Sequence, residues 1–134
     1  MPSAVVLVVD VANVMGSRPD GWWRDRAGAA GRLMASLVPL VGTEVAGPND
    51  LSSESFRVDR IIAVVEGRAR TAIAPDELEV VLAPADGDRT IVEMAGQVLG
   101  EEEVPLVVTA DRGLRERLPS GSLIAGPGWL LGLL

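Results

Sequence analysis

"AVVLVVD", residues 4–10, sets six apolar residues in a row and closes them with an acid. A strand wetted on one face alternates polar with apolar residues. An unbroken run belongs instead to a central strand covered on both faces, the kind that builds a parallel sheet. Working outward from it, the same form returns in "RIIAVVEG" (60–67), "LEVVLAP" (78–84) and "VPLVVTAD" (104–111), with a brief fifth strand in "SLIAG" (122–126). Between the strands the spacing changes. Ala29, Ala30, Leu33, Met34, Leu37 and Val38 predict a helix from Asp25 to about Leu40, with Pro39 marking its end. "DGDRTIVEMAGQVLG" (86–100) opens on turn residues, and Ile91, Val92, Ala95, Val98 and Leu99 then make a helical face that stops at Gly100. A short helix is expected between Asp111 and Pro119, and a mostly apolar one in the closing "GWLLGLL". Residues 42–57 hold Gly, Pro, Asn, Asp and several hydroxyl residues and read as an exposed loop. Strand and helix in alternation predict an α/β fold: three layers, Rossmann-like, around a central, mostly parallel sheet of four to five strands.

Composition narrows what such a fold can do. The 134 residues are expected to form one domain, 1–134, burying about two-thirds of its unfolded surface. The apolar run at 4–9 has no basic segment before it and is too short for a signal peptide or a membrane span, so no membrane partner is expected. The chain has no cysteine, which excludes disulfides and thiolate metal sites and suits a reducing compartment, with the cytoplasm as default. Without histidine there is no Ser-His-Asp triad, no His-ligated zinc and no imidazole base. Without lysine or tyrosine, a P-loop, a Schiff base and a receiver-type lysine are excluded as well. The chemistry that remains is that of carboxylates, hydroxyls, 12 arginines and whatever the carboxylates bind.

In parallel sheets, sites form beyond the carboxyl ends of the strands. Asp10 closes the first strand and Glu66 the second, Asp86 and Asp88 follow the third at the start of a helix, and Asp111 ends the fourth. Singly, each has a structural reading. Asp88 and Asp111 precede helices and suit an N-cap, and Glu66, before Gly67, suits an exposed strand end. Asp10 fits that reading least, because "VANVMGSRPDG" follows it and the next helix is expected near Asp25. Jointly, carboxylates gathered at one edge without lysine or histidine repel one another unless a cation sits among them. Ligation by oxygen alone favours Mg²⁺ or Mn²⁺.

At these residues the chain resembles a family. "VVDVANVMGS" is similar to the first motif of the PIN-like nucleases, specifically the NYN branch and its YacP-like relatives, with an Asp ending the first strand and an Asn three residues on, here Asp10 and Asn13. "GDRTIVEMA" resembles the motif opening the helix after the third strand, and "VVTADRGLRERL" the last motif, with Thr-x-Asp-Arg at a strand tip. The resemblance spans about residues 4–126. It implies a PIN-like fold and a metal-dependent ribonuclease, with Asp10, Asp88 and Asp111 as core metal ligands and Glu66 as a further acidic member of the catalytic set. The family often carries a second acid directly after the position of Asp88. This chain has Arg89 there, and Asp86 is the acid placed to compensate.

Hydrolysis of a phosphodiester needs an attacking hydroxide and neutralisation of the phosphate, and carboxylate-held Mg²⁺ or Mn²⁺ supplies both. A carboxylate not engaged as a ligand, Glu66 or Asp86, is then free to accept the water proton. A net charge of −7 opposes loose attraction to nucleic acid. Eight of the 12 arginines nevertheless fall near the acidic edge, among them Arg18, Arg68, Arg89 and Arg112, which with Asn13 are the candidate substrate contacts. Of the adjacent Trp22 and Trp23, one is expected inside and one partly exposed, and an exposed one suits stacking on an unpaired base. Trp129 is expected in the core, or on a self-association surface. RNA is the expected partner; a homodimer and an inhibitor protein stay open. Other enzymes fit less well. The Nudix R-E-x-x-E-E helix is absent, a haloacid dehalogenase-type site needs an acid where Ala12 stands, and a TOPRIM site leaves Asp10 unexplained. A catalytically inactive Rossmann-like module that binds RNA or a nucleotide is the alternative from another class, and Arg89 is the residue that favours it.

Overall fold

A computed structural model describes residues 2–48 and 54–134. In chain order the elements are β1 (Ser3–Asp10), α1 (Val11–Gly16), α2 (Arg26–Leu37), β2 (Glu44–Ala46), β3 (Ser55–Val65), β4 (Glu79–Leu82), α3 (Gly87–Gly100), β5 (Pro105–Val108), α4 (Arg112–Arg117), β6 (Leu123–Ala125) and α5 (Pro127–Gly132). The opening apolar run is central, with β3 parallel on one side and β5 parallel on the other. β6 lies parallel beyond β5. The outer edge of β3 is shared: β2 pairs antiparallel with its first residues and β4 parallel with its last. Among the described residues the sheet thus has six strands, all parallel except β2.

The unbroken apolar runs behave as their composition requires, sending alternate residues to opposite faces. Val5, Leu7 and Val9 of β1, Ile61, Ala63 and Val65 of β3, and Leu106 and Val108 of β5 face a core closed by α1, α2 and α5. Val6 and Val8, Ile62 and Val64, and Val107 face a second core closed by Ile91, Ala95 and Val98 of α3 and Leu114 of α4. Two apolar layers around one sheet make the three-layer α/β fold expected. Burying each such aliphatic side chain contributes about 1.5–3 kcal/mol, so a charge at any one position along Val5–Val9 would disrupt the layer that its side chain faces.

Two stretches depart from the sequence reading. Within 42–57, Glu44–Ala46 is β2 and β3 begins at Ser55. Residues 49–53 of that expected loop lie outside the described residues. Phe56 and Val58 are buried while Ser55 and Arg57 are exposed, the alternation of a strand near a sheet edge. The second departure follows β1 directly. Val11, Val14 and Met15 are buried and hold a six-residue helix, α1, whose N-cap is Asp10. The expected helix at 25–40 is α2, which passes into a 3₁₀ turn at Val38–Leu40. Among the described residues, no helix is long and apolar enough to cross a membrane.

Candidate active site at the carboxyl edge of the sheet

Parallel pairing sets the carboxyl ends of β1, β3, β4 and β5 on one edge. Asp10 is in register with Val64, Val9 with Val108, and Leu82 with Val65, so Glu66 and the segments leading to Asp86 and Asp111 all leave the sheet there. Asp10 is the buried member, 7% exposed. Its Oδ2 accepts from the Thr109 hydroxyl at 2.9 Å and its Oδ1 from the Asn13 N–H at 3.2 Å. Burial pushes the Asp10 carboxyl up to about 6; the Thr109 and Asn13 bonds pull it down, and the charges of Glu66 and Asp88 push it up again.

The frame around Asp10 is built from both neighbouring corners of the sheet. Thr109 is fully buried, and its oxygen accepts the Asp111 N–H at 3.2 Å, which commits the hydroxyl proton to Asp10. The Asn13 side-chain oxygen accepts the Ala110 N–H at 2.8 Å and so ties α1 to the segment after β5. Asn13, expected at the substrate, therefore has a structural task, and only its amide nitrogen is left to meet a substrate oxygen. Arg115 closes the frame from α4: Nε and Nη2 donate to the Thr109 carbonyl at 3.0 and 2.6 Å.

The remaining acids divide by task. Asp111 is exposed and caps α4 through Oδ1, which accepts from the Leu114 N–H at 3.0 Å. α3 is capped by Asp86 rather than Asp88: Asp86 Oδ1 accepts the Asp88 N–H at 3.1 Å, and Asp88 stands in the first turn without a capping duty. Asp88 is half-buried, and its carboxyl lies above the usual range because of burial and the charges of Asp111 and Asp86, against the pull of Arg117 at 3.9 Å. Glu66 accepts the Gly87 N–H. Gly87 permits that approach, since a Cβ there would lie 3.0 Å from Glu66 Oε2.

Asp10 thus feels Glu66 and Asp88, and Asp88 feels Asp111 and Asp86, so the acids picked from the sequence share one electrostatic neighbourhood. Among the described residues, no three of them stand close enough together to form a ready-made metal cage; they line an open edge. In donor chemistry they fit a hard divalent cation, being all oxygen in a chain that lacks histidine and cysteine.

The candidate arginines do not converge. Arg89 is 85% exposed and turns along α3 to Glu93 at 3.3 Å. Arg112 is exposed at the start of α4, Arg18 is half-buried after α1, and Arg68 lies exposed on a 3₁₀ turn after β3. Trp22 is half-buried against the core and Trp23 is exposed, while Trp129 packs against the core and donates to the Ala46 carbonyl at 3.0 Å. Sequence reasoning missed the roles of Thr109, Arg115 and Arg117. Thr109 left a signal, a lone hydroxyl closing an apolar run; the other two sit on the helix after it and left none.

No protein-family model matches the sequence, and no curated protein matches it. Among solved structures, the fold is similar to the crystal structure of a mutant of Rae1 (YacP) from Bacillus subtilis, with a TM-score of 0.68 and 18% identity, covering 96% of this chain and 74% of that one.

Proposed function

We propose that this protein is a metal-dependent ribonuclease that hydrolyses phosphodiester bonds of single-stranded RNA at the carboxyl edge of its sheet. The observation that carries the reading is a buried carboxylate, Asp10, held by two hydrogen bonds at an edge where Glu66, Asp88 and Asp111 also emerge. The likeness of fold to Rae1 (YacP) is in keeping with the YacP-like motifs around these acids. In this reading Asp10, Asp88 and Asp111 hold Mg²⁺ or Mn²⁺, which supplies a water of lowered pKa and charge neutralisation at the phosphate. Thr109 and Asn13 fix the Asp10 carboxylate, so its orientation is set before substrate arrives. Glu66, oriented by the Gly87 N–H, is placed to accept the proton of the attacking water, with Asp86 as the second candidate. Arg18, Arg68, Arg89 and Arg112, with the amide nitrogen of Asn13, contact the strand.

The test is cleavage of single-stranded RNA and DNA of one sequence in Mn²⁺, Mg²⁺ or chelator. Metal-dependent cleavage of RNA is expected, and Asp10→Asn should reduce it to background in a folded protein. Cleavage by that variant at the wild-type rate would move the chemistry elsewhere. The open spacing of the acids favours a second reading, a catalytically inactive module that binds RNA or a nucleotide. Melting in Mn²⁺ separates the two: the nuclease gains stability, and the inactive module shows no shift.

A further inference from the structure

Beside the acidic edge, the segment between α1 and α2 carries a feature that hydrolysis alone does not need. Gly21, at a φ of 79°, turns the chain into a 3₁₀ turn, Trp22–Arg24, that sets two adjacent tryptophans at different depths. Trp22 packs against the core, with the Arg26 guanidinium 5.3 Å from its ring centroid. Trp23 meets Trp22 edge to face, the centroids 5.9 Å apart and the planes at 87°, and stays 54% exposed. A single exposed indole is ordinary. Its surroundings are not.

Trp23 borders a hollow of about 330 Å³ whose rim also carries Arg24, Arg26 and Arg68. Among the described residues none of these three arginines has a carboxylate within 4.0 Å. The acid on the rim, Asp25, is committed to the N-cap of α2, accepting the Gly28 N–H at 2.9 Å. Three arginines against one capping aspartate around an open ring, in a chain of net charge −7, make a local site for an anion that carries a flat ring. A second hollow, lined by Trp22, Arg26 and Glu66, shares Arg26 with the first and leads to the acidic edge.

We propose that the Trp23 hollow is a nucleotide subsite: an unpaired base stacks on Trp23, Arg24 and Arg68 hold the adjacent phosphates, and the strand runs past Arg26 and Glu66 toward Asp10. The subsite rests on the nuclease reading and deepens it, because only a single strand can offer a free base face to an indole. Trp22 holds Trp23 in place beforehand, so little side-chain freedom is lost when a base arrives.

The test is binding without turnover: the Asp10→Asn protein, free of divalent metal, titrated with a short labelled single-stranded RNA, the same sequence as DNA, and the RNA duplex. Single strands should bind in preference to duplex. Adding Trp23→Ala should weaken that binding by about tenfold, the worth of one stacked base, and Trp23→Phe should retain most of it. Arg68→Ala should lower affinity and reduce the salt slope by about one charge. An unchanged melting temperature in Trp23→Ala excludes a folding defect. If single strands bind but Trp23→Ala and Arg68→Ala change nothing, the subsite is overturned and the nuclease reading stands. If neither RNA nor DNA binds, the subsite is overturned, and metal-dependent cleavage by the wild-type protein decides the nuclease reading separately.

Discussion

The two ends of the sheet hold acids in opposite ways. At the amino end Arg60 of β3 gathers Glu79 at 2.7 Å, Glu103 at 2.9 Å and Glu101 at 3.6 Å, and each glutamate shares the same guanidinium. Burial pulls the Arg60 guanidinium down, but Glu79 and Glu103 together hold it above its ordinary range. At the carboxyl end Asp10, Glu66, Asp86 and Asp111 have no arginine within 4.0 Å among the described residues, and Asp88 has only Arg117 at 3.9 Å. There, burial and the charges of neighbouring acids raise Asp10 and Asp88. A fold that gathers three glutamates around one arginine at one end leaves its carboxylates facing each other at the other. Charge left unpaired against the interest of stability is the pattern expected of a binding site, and it is the end to which the proposed function assigns the metal.

The largest effect expected from breaking this contrast is at Asp10. Its folded pKa, about 6, lies above the ordinary aspartate value, so the folded chain holds the proton more tightly than the unfolded chain does. In the absence of metal, stability should therefore fall as pH rises from about 4 through about 6 and level off above that, by up to about 3 kcal/mol. Asp10→Asn should flatten this profile, raise the melting temperature at neutral pH without metal, and remove cleavage. Denaturant titrations at several pH values check the first two, and a flat wild-type profile would refute them. Next comes Thr109→Val, which strips a bonding partner from both Asp10 Oδ2 and the Asp111 N–H. It should cost about 1–3 kcal/mol, and the loss should be greater at pH 8, where Asp10 is charged, than at pH 5.

At the amino end the forecast is smaller and of the other kind. Arg60→Ala should cost about 1 kcal/mol, fade in high salt and leave RNA cleavage unchanged. A drop in cleavage without a drop in stability would show that the two ends are coupled. The smallest structural effect is expected for Arg89→Asp. It removes the pair with Glu93 but adds an acid to the first turn of α3, and these changes offset to within about 0.5 kcal/mol. Its value is functional. If Arg89 clamps phosphate, Mn²⁺ binding should tighten while RNA affinity falls; if Arg89 is a defect that weakens the metal site, Mn²⁺ binding should tighten and turnover should rise. No change in either would leave Arg89 an ordinary solvent-facing residue of α3.

The sequence was legible where burial dominated and opaque where polar atoms chose their own partners. β1, the inner half of β3, β5 and α3 could be read because long apolar runs or a helical face decide them. β2 and the start of β3 could not, since β2 is only three residues long and the polar sequence Ser55–Arg60 at the start of β3 looks like loop. α1 escaped because six residues rarely form a helix unaided, and it is the burial of Val11, Val14 and Met15 that holds it. Its presence turns Asp10 into a cap as well as a candidate ligand, the role the sequence argued against. The acids of the carboxyl edge were all named in advance because strand direction alone places them. The assignment of the α3 cap to Asp86, the task of Asn13 and the approach of Arg117 depend on hydrogen bonds and helix turns that spacing does not encode.

The bond from Thr109 to Asp10 joins residues 99 positions apart, and β1 is held between β3 and β5. That separation has a consequence in time. During synthesis β1 is complete long before β5 exists, so one flank of a six-residue apolar run waits unpaired while roughly a hundred residues are added, some 5–20 s at ordinary elongation rates. Parallel pairings at such distance are slow to form and exposed to wrong partners meanwhile. The same closure that seats β5 delivers Thr109 to Asp10, so the carboxylate is aimed only once the exposed flank of β1 has been covered. A nascent chain stopped before residue 109 would carry the acids of β1, β3 and α3 without the hydroxyl that orients them.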